Sequence, residues 1–450
     1  MSPNSIDEGE GEAPPDSATV ELPSDGPELE DLFGPLPVAM ELGLHRIEAV
    51  LSAVGSPQCS YPSVHIAGTN GKGSTAAILS SVMRADGRNV GLYTSPHLRR
   101  FPERIRVDGR PVPDALLRSA ATVVESEVRD SGATYFEAAT ILAFEVFRQL
   151  EVDLAIVEVG LGGRLDATNV VAPVLTAITN IHRDHTEFLG EEIRDIATEK
   201  GGIIKEGVPL LTTVDNSEAL AVLQELCREI GAPFVPIDPR SIRTTDGPDG
   251  TRLSVALSDG GLVGIRLPLA GAHQARNAAL ALRLADMLPN DLRPTSDAAV
   301  RGCESVRWPG RLQVEDVGGT TCVLDTAHNP AGVQALLLTL AEMDLPQPVV
   351  AVVGILADKD WASMVPELFE FASAIVLTTP RSGPEARSWD PMIVSRALGS
   401  PPQLHSEGLV ADALRRGFQL AQGGTLLITG STYTVGSAMS ILGIDADEAG

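Results

Sequence analysis

A glycine-rich turn near residue 70 holds the first side chains whose types and spacing suggest chemistry. The stretch SVHIAGTNGKGSTAAILSS spans Ser63 to Ser81, with an apolar, strand-like run before the turn and an alanine-rich helical pattern after it. Backbone N–H groups at such a turn, together with the positive end of the following helix, attract anions. We therefore predict that the turn binds phosphate through Gly68, Thr69, Asn70, Gly71, Lys72, Gly73 and Ser74.

Lys72 is the residue of this turn that carries the strongest signal. The chain has only four lysines among its 34 basic residues, at positions 72, 200, 205 and 359. Lys72 can reach the outer phosphates of a nucleotide, and Ser74 or Thr75 can support a magnesium ion. The G-T-N-G-K-G-S spacing is shorter than the usual phosphate-loop pattern, so a tight strand-to-helix turn with an unrelated lysine is the alternative.

Polar residues also follow the next three strand-like runs. Ser95 lies in TSPHL, Glu158 in VEVGLGGRLDATN, and Asp184 and His185 in TNIHRDH. Ligands of an open α/β sheet collect beyond the carboxyl ends of its strands, so these residues should border one crevice with the phosphate turn. Such an oxygen-rich crevice with room for phosphate suits magnesium. Taken singly, Glu158 could instead be a buried acid bonded to a backbone amide, and His185 a core histidine.

Lys200 and Lys205 occur together in IATEKGGIIKEGVP. Lys200 ends a predicted helix beside Glu199, where the helix dipole alone would favour a cation. The local sequence therefore leaves two interpretations of Lys200, a helix-terminal cation or a site residue. We expect Lys205 to be solvated in the following loop.

The elements that must position these residues alternate between strands and helices. Residues 1–27 are rich in Pro, Gly, Ser and acidic residues and are predicted to form a disordered tail. Beyond them, short apolar runs alternate with helical periodicity, which predicts an α/β fold with mostly parallel strands covered on both faces. The predicted strands are 63–68, 89–95, 153–160, 173–181 and 209–214, and the clearest helices are 113–130, 135–150 and 191–200.

Two departures from this alternation divide the chain. Residues 241–270 contain DG and GG turns between short alternating runs, which predicts a small antiparallel insertion. The segment VRWPGR at 306–311 follows two further helical patterns and is predicted to be a linker. A second strand–helix alternation begins after it, so we divide the chain into a central domain at 28–306 and a smaller α/β domain at 307–450.

Composition argues against several classes of function. The net charge is −26, from 34 basic and 60 acidic residues, which disfavours binding to nucleic acid or to an anionic membrane. No apolar run reaches the length of a membrane span, and the acidic N-terminus lacks the apolar core of a secretory signal, so we expect a cytoplasmic location. The cysteines, at 59, 227, 303 and 322, are scattered, which favours reduced thiols over a disulfide framework or a zinc site.

These motifs occur in an order that resembles one known family. They are HIAGTNGKGST, TSPHL, ERIRVDG, YFEAAT, VEVGLGGRLDATN, GAHQARN, RWPGRL, DTAHNPAG, GILADKD and GSTYTVG, between about residues 38 and 442. The set is similar to folylpolyglutamate synthase/dihydrofolate synthase, in the Mur ligase superfamily. The resemblance implies an ATP-dependent amide ligase, with a P-loop ATPase domain and a C-terminal Rossmann-like domain that closes over the nucleotide and helps place glutamate.

The resemblance also implies how ATP and Mg²⁺ are held. The phosphates would lie on the Gly68–Ser74 turn with Lys72. Ser95, Glu158 and His185 resemble the family's magnesium ligands. Lys200 matches the lysine that the family carbamylates, which turns a cation into a carboxylate that supports a second magnesium ion.

Residues further along the chain are similar to nucleotide and amino-acid contacts of the family. Asn277 in GAHQARN and Arg311 in RWPGRL resemble nucleotide contacts. Asp325 and His328 in DTAHNP resemble residues that face the nucleotide and the incoming amino acid, and His328 is a candidate base for the amine. Lys359 lies in the family's DKD segment.

The implied substrates are ATP, L-glutamate and either dihydropteroate or a folate, joined through an acyl phosphate. We expect the chain to be a monomer. Synthesis of dihydrofolate, extension of a folate polyglutamate, or both are open alternatives. Two other interpretations also stay open: a Mur-type ligase that acts on another carboxylate, and a non-catalytic ATP-binding homologue.

A few residues depart from the family pattern or need their own explanation. Alanine is expected in place of Gly202 or Gly201, and the extra glycine should loosen the turn after Lys200 without removing the lysine. His182 and Arg183 precede Asp184, where we expect them to alter the rim of the pterin pocket. An arginine cluster after TSPHL either reverses the local field for anionic substrates or is an ordinary solvated strand; it comprises Arg99, Arg100, Arg104 and Arg106.

Overall fold

The strand that leads into the glycine-rich turn lies near the middle of the larger sheet. The computed structural model describes residues 27–37, 43–238, 242–247, 250–256, 262–380 and 387–445, so the predicted acidic tail, except its last residue, falls outside the described residues. In chain order the strands of this sheet are β1 (Ser63–Ala67), β2 (Val90–Tyr93), β3 (Ile105–Val107), β4 (Arg110–Pro111), β5 (Leu154–Glu158), β6 (Leu175–Ile178), β7 (Leu210–Thr212) and β8 (Phe234–Pro236).

The strand order of the sheet brings the polar strand ends together. The order is β4-β3-β2-β5-β1-β6-β7-β8. Pairs from β2 across to β8 are parallel, whereas β3 and β4 add antiparallel strands at one edge. The carboxyl ends of β2, β5, β1 and β6 are therefore neighbours, and the loops that follow these strands meet at one edge of the sheet.

Helices cover both faces of this sheet because its central strands are apolar on both sides. Every residue of β1 and of β5 is buried. The helices of this part of the chain, in order, are α1 (Leu29–Phe33), α2 (His45–Ala53), α3 (Lys72–Ala85), α4 (Asp114–Ser131), α5 (Tyr135–Gln149), α6 (Thr186–Leu189), α7 (Ile193–Gly201), α8 (Ser217–Ile230), α9 (Ala272–Met287) and α10 (Ser296–Ser305). Leu79 of α3 and Leu280 of α9 share one core cluster with Ile66, and Phe144 of α5 shares another with Val157.

The predicted insertion is a small antiparallel sheet. It consists of β9 (Arg243–Gly247), β10 (Gly250–Ala256) and β11 (Leu262–Leu267), with β10 in the middle. Leu253 and Ile265 of this sheet pack into the core that contains α3 and α9. The insertion thus supports the helix that carries Asn277.

The second α/β unit follows residues 306–312. Its six strands, in the order β12-β13-β17-β14-β15-β16, are parallel except for β12. The strands are β12 (Gln313–Val317), β13 (Thr320–Leu324), β14 (Val349–Val353), β15 (Ala374–Thr378), β16 (Leu404–Glu407) and β17 (Thr425–Thr429). The helices are α11 (Pro330–Leu340), α12 (Trp361–Phe371), α13 (Pro391–Ala397), α14 (Val410–Ala421) and α15 (Thr432–Leu442).

The predicted fold class, two α/β units with mostly parallel sheets and a small antiparallel insertion, is confirmed. The sequence pattern does not predict the edge strands β8, β12 and β16, which are short or carry polar residues at alternate positions. In the described part of the chain, none of the helices combines the length and apolar composition that crossing a membrane requires.

Candidate active site

The turn after β1 has a shape that side chains would obstruct. Gly68 has φ +147° and Gly71 has φ +81°, in the region that favours glycine. A Cβ atom at Gly68 would lie 1.9 Å from Thr179 Oγ1, and one at Gly71 would lie 2.4 Å from Asn277 Oδ1. Glycine at both positions therefore lets the turn pack directly against the end of β6 and against α9.

Lys72 and the two hydroxyl residues after it point to an anion site. The Lys72 ammonium donates to the carbonyl oxygens of Gly68 and Thr69, each at 3.1 Å, so the side chain curls back over the turn. The Oγ of Ser74 and the Oγ1 of Thr75 are buried at the start of α3, and neither has a hydrogen-bond partner among the described residues. Buried hydroxyls without partners are costly unless a ligand or water bonds to them.

Glu158 lies at the carboxyl end of β5, next to the phosphate turn. Its Oε2 accepts a hydrogen bond from the Ser95 backbone N–H at 3.1 Å. The carboxyl is only 5% exposed, and burial raises its pKa, with the Lys72 charge opposing that rise. Glu158 lies close to the turn, because a Cβ at Gly73 would be in van der Waals contact with Glu158 Oε2, at 3.4 Å. The site therefore keeps a buried carboxyl that a cation would stabilise in its charged form.

His185 and Asp184 follow β6 and contact the second α/β unit. Lys359 donates to Asp184 Oδ1 at 2.5 Å and to His185 Nε2 at 3.0 Å. Burial, together with the Lys359 charge, lowers the pKa of His185 to about 3, so the imidazole is neutral. Burial alone would raise the pKa of Asp184, but His328, Lys359 and His185 together hold it far below its ordinary range. Asp184 is thus a fixed anion at the junction of the two units.

Lys200 lies in the same crevice, and the pKa of its ammonium group is lower than that of an ordinary lysine. Its side chain reaches back from the end of α7 to donate to the carbonyl oxygen of Gly68 at 2.9 Å. The residue is 4% exposed, and burial together with the Lys72 charge lowers its pKa to about 7. A lysine at the phosphate turn with this pKa is partly a neutral amine near physiological pH.

The second unit contributes Arg311, Asp325 and His328. Arg311 donates to the Gly310 carbonyl oxygen and to Thr326 Oγ1. Asp325 is buried and accepts from the backbone N–H groups of Leu312 and Ala327. His328 Nδ1 donates to the Thr326 carbonyl oxygen at 2.9 Å, which directs its Nε2 toward Asp184 Oδ2 at 3.6 Å. These bonds fix the loop after β13 over the phosphate turn.

All the sequence-predicted site residues border one cavity of about 320 Å³ between the two units. The cavity brings together the phosphate turn, the residues that follow β2, β5 and β6, the helix α9, and the loop after β13. Its lining includes Gly68, Thr69, Asn70, Gly71, Lys72, Gly73, Ser74, Ser95, Glu158, His185, Lys200, Asn277, Arg311, Asp325 and His328.

A second cavity of about 330 Å³ adjoins the first and has a different chemistry. Its walls include the rings of Tyr135, Phe136 and Tyr433. The two cavities share Ser95 and His185 as wall residues, and also His328. A molecule in the second cavity can therefore place one end beside the phosphate site.

Three expectations need correction. Neither His182 nor Arg183 borders the aromatic cavity: His182 lines the polar cavity, and Arg183 donates to the Glu191 carbonyl oxygen. Lys205 is half-buried and donates to the Asn169 carbonyl oxygen at 3.3 Å, so it is not simply solvated. Gly202 does not loosen its turn, because a Cβ there would lie 2.3 Å from Arg164 Cβ.

The arginine cluster is divided between different environments. Only Arg104 borders the aromatic cavity, with its guanidinium 5.5 Å from the centre of the Tyr135 ring. Arg106 is buried over Trp308, and Arg99 bonds to Ser440 Oγ and the Ile444 carbonyl oxygen in the second unit. Of these three arginines, Arg104 is therefore the one that can contribute charge at the aromatic cavity, whereas Arg106 and Arg99 make contacts elsewhere.

Sequence reasoning missed Asn329. This residue bonds to Asn70 and to Asp184, across sequence separations of 259 and 145 residues. Its position between His328 and Pro330 suggests only the start of a helix. The tertiary contact leaves no local pattern, so the structure is needed to find it.

The donor set fits a magnesium ion. Ser74 Oγ is buried without a partner, and the Glu158 carboxylate lies beside the same turn. Ser95 and the neutral imidazole of His185 border the same cavity. Hydroxyl and carboxylate oxygens with room for phosphate oxygens are the surroundings that magnesium prefers. His185 Nε2 accepts from Lys359 here, so binding a metal through that atom requires Lys359 to move.

Comparison with known proteins identifies the class. The Mur ligase middle domain matches residues 66–285, and the Mur ligase glutamate ligase domain matches residues 310–432. Both matches cover the segments that build the cavity, with the phosphate turn in the first and the loop after β13 in the second. The fold and the site therefore define an ATP-dependent ligase of the Mur ligase class.

Individual relatives give a narrower assignment. The folylpolyglutamate synthase of Lacticaseibacillus casei is 38% identical over 76% of this chain and 83% of its own length. The structure of Mycobacterium tuberculosis folylpolyglutamate synthase complexed with ADP is 33% identical, with a TM-score of 0.82 over 90% of this chain and 95% of that one. Escherichia coli FolC in complex with DHPP and ADP is 31% identical, with a TM-score of 0.81 over 92% of this chain and 96% of that one. The chain belongs to the folylpolyglutamate synthase/dihydrofolate synthase family.

Proposed function

We propose that this chain joins L-glutamate to dihydropteroate, to the γ-carboxylate of a folate, or to both, with conversion of ATP to ADP and phosphate. The observation that carries the proposal is the meeting of the two cavities at Ser95, His185 and His328. The polar cavity suits a nucleoside triphosphate, and the aromatic cavity suits a flat heterocycle with an acidic end. A reaction between these two ligands would use both cavities and their common wall.

The chemistry follows from the poor reactivity of a carboxylate. An oxygen of the substrate carboxylate attacks the γ-phosphorus of ATP, which gives an acyl phosphate and ADP. The nitrogen of glutamate then attacks the acyl carbon, and phosphate leaves as the amide forms. Lys72 at the phosphate turn is placed to stabilise the charge of the transferring group. His328 Nε2, which faces the junction of the cavities, is the candidate acceptor of the ammonium proton.

Magnesium, when bound, neutralises phosphate charge during the transfer. We assign its ligation to Ser74, Ser95, Glu158 and His185, because their side chains offer buried oxygen donors and a neutral imidazole beside the turn. The bound cation would then offset the free-energy cost of keeping the buried Glu158 carboxylate charged.

We also propose that Lys200 carries a carbamate. A neutral lysine amine attacks carbon dioxide to give a carbamate and release one proton, and burial of Lys200 makes the neutral amine available near pH 7. The product is an anion beside the phosphate turn, where the protonated form of the unmodified residue would add a second cation next to Lys72. Such an anion can support a second magnesium ion.

The aromatic cavity is the proposed site of the pterin and its benzoate arm. Tyr135, Phe136 and Tyr433 offer ring faces, and Arg104 brings a buried positive charge to the wall. Lys359, which borders this cavity and contacts Asp184, is a cation that an incoming carboxylate can bind.

Two units suit this reaction because closure excludes water, which would hydrolyse the acyl phosphate. We propose a domain boundary at residues 306/307, within the segment that links α10 to β12. We also propose that the chain acts as a monomer in the cytoplasm, with small-molecule partners only. The net charge of −26 gives no support to a nucleic-acid or anionic-membrane partner.

The test is ADP release by the purified chain with glutamate and magnesium, and with dihydropteroate or a reduced folate in separate reactions. Product masses identify the amide, and turnover of one or both substrates names the activity. Lys72→Met should reduce turnover by roughly 10²- to 10³-fold, as loss of a transition-state contact does. Lys205→Met is the matched control, because Lys205 lies outside both cavities. Turnover of neither substrate by a chain that binds ATP would refute the proposal and favour another Mur-type ligase or a non-catalytic homologue.

A further inference from the structure

Asn329 makes an unusual set of bonds at the start of α11. The residue is 1% exposed and lies between the two α/β units. Its Oδ1 accepts from the Gly332 N–H at 2.9 Å, which caps the helix, and from Asn70 Nδ2 at 3.1 Å. Its Nδ2 donates to Asn70 Oδ1 and to Asp184 Oδ2, both at 2.9 Å. The two hydrogens of the amide and both lone pairs of its oxygen are therefore all used.

Capping explains only one of these bonds. Asn216 caps α8 with a single bond, from Ala219 N–H to Asn216 Oδ1 at 3.0 Å. Asn329 makes the same kind of bond and then adds three more, all to residues of the central unit. A serine or aspartate would cap α11 as well, but neither could donate two N–H groups across the cleft.

Asn70 is placed so that its side chain is available for this contact. Its backbone is already fixed to the end of β6: its N–H donates to Asn180 Oδ1, and its carbonyl oxygen accepts from Thr179 Oγ1 at 2.6 Å. The phosphate turn therefore does not need Asn329 to keep its backbone shape. The paired amides of Asn70 and Asn329 instead join the turn to the second unit.

We propose that Asn329 is a positioning residue that couples docking of the second unit to the phosphate turn. It joins Asn70, next to the transferring phosphate, with Asp184, which holds Lys359. Through it, the loop that carries His328 is held in place over the site where the acyl phosphate forms. Docking at this position keeps water from the acyl phosphate until the amine attacks. The inference rests on the proposed ligase function. It adds the residue that couples formation of the acyl phosphate to formation of the amide.

The test compares ADP released with amide formed in Asn329→Ser. Serine keeps the helix cap and removes the three bonds across the cleft, so the chain should fold and bind ADP as the parent does. We expect more than one ADP per amide, because water then reaches the acyl phosphate. We also expect kcat/KM for glutamate to fall by roughly 2- to 150-fold, the range for residues coupled in one hydrogen-bond network, with KM for ATP unchanged.

The control is Asn290→Ser, the same substitution at an exposed asparagine that borders neither cavity. It should leave the ratio of ADP to amide at one. Asn70→Ala should raise the ratio as Asn329→Ser does, and the double variant should raise it no further, because both changes remove the same link.

Each outcome bears on a separate claim. Absence of amide from the parent chain refutes the proposed function itself. If the parent chain forms amide and Asn329→Ser also releases one ADP per amide with full kcat, the coupling is refuted. Asn329 would then act only as a helix cap. Additive effects of Asn70→Ala and Asn329→Ser would also refute it, because the two residues would then act separately.

Discussion

Lys200 shows how burial changes the chemistry of a single residue. An exposed lysine is a cation throughout the physiological range, whereas Lys200 is buried beside Lys72 and has a pKa of about 7. Asp184 and Asp166 oppose this shift, and Lys359 adds to it. The free amine therefore becomes the main form as pH rises through about 7, and the protonated form dominates below.

We predict that a carbamate at Lys200 forms in step with this titration. With ¹³C-labelled bicarbonate, the carbamate signal in ¹³C NMR should grow between about pH 6 and about pH 8, because only the neutral amine attacks carbon dioxide. Lys200→Gln should lack the signal, and Lys205→Gln should keep it. A signal that persists in Lys200→Gln would place the modification elsewhere.

Arg104 supports a second prediction about a single side chain. The guanidinium lies over Tyr135 and donates to His97 Nδ1 at 2.9 Å, so it is held at the wall of the aromatic cavity. Arg104→Gln should raise KM for the folate substrate by roughly tenfold, the loss of about one charged contact, and leave KM for ATP unchanged. Steady-state kinetics with each substrate varied in turn measure both values.

Arg118→Gln is the matched control for Arg104, because Arg118 is exposed on α4. Equal effects of the two variants on KM for the folate would show that general charge matters more than position. An unchanged KM for the folate in Arg104→Gln would remove this residue from the substrate site.

Sequence alone predicted most of the candidate site because its residues lie in local motifs. The turn from Gly68 to Ser74, and single residues such as Glu158 and His185, follow apolar strands, where an α/β fold places its ligands. Asn329 and the separate environments of Arg99 and Arg104 depend on contacts between distant segments. Packing across the cleft determines those contacts, and the sequence pattern of a short segment does not indicate how distant segments pack.

The strand, turn and helix from β1 to α3 form the element on which the nucleotide site depends. Nearly all of α3 is buried, because helices and sheet surround it, and its small residues allow that close packing. The turn has no space for side chains at Gly68 or Gly71. Its geometry is therefore set by contacts to Thr179 and Asn277 as well as by its own sequence.

We predict that Gly71→Ala reduces both stability and nucleotide binding. The residue has φ +81°, which costs an alanine about 1–2 kcal/mol, and the new Cβ would meet Asn277 Oδ1 at 2.4 Å. Thermal unfolding and calorimetric titration with ADP measure the two effects.

Gly87→Ala is the control for Gly71→Ala. Gly87 has nearly the same backbone angle, φ +87°, but a Cβ there has no atom within 4 Å. It should lower stability by a similar amount, because the backbone strain is similar, and leave ADP binding unchanged. Loss of ADP binding in Gly87→Ala as well would mean that general destabilisation, and not the turn, explains the result.

The long apolar strands could be predicted from the sequence, and the edge strands could not. β1, β5, β14 and β17 are buried along their whole length, and most of their residues are apolar. β12 alternates between half-buried and exposed positions, so its pattern is that of a polar segment. Its place in the sheet comes from antiparallel pairing with β13, and the sequence of β12 alone does not indicate this tertiary contact.

The charge of the whole molecule has its own consequence for stability. With 60 acidic and 34 basic residues, the folded chain carries a net charge of −26, and like charges repel more in the compact state than in the unfolded one. Added salt screens this repulsion, since the Debye length shortens to about 3 Å at 1 M.

We therefore predict that Tm rises by a few degrees as sodium chloride is increased to about 0.5 M. Potassium chloride should give the same rise, because screening does not depend on which monovalent cation is present. A Tm that falls with salt would show that attractive ion pairs, such as Asp184 with Lys359, outweigh the general repulsion.

The bonds at Asp184 join residues that are 145 and 175 positions apart along the chain. A ribosome makes the phosphate turn, β5 and α9 well before it makes Asn329 or Lys359, and domains fold in the order in which they emerge. We therefore expect a growing chain to acquire its nucleotide pocket first and the groups that complete amide formation last. An unfinished chain can then hold ATP while it lacks His328, the candidate base for the amine, and Asn329, so the order of translation is also the order in which the groups for phosphoryl transfer and for amide formation are assembled.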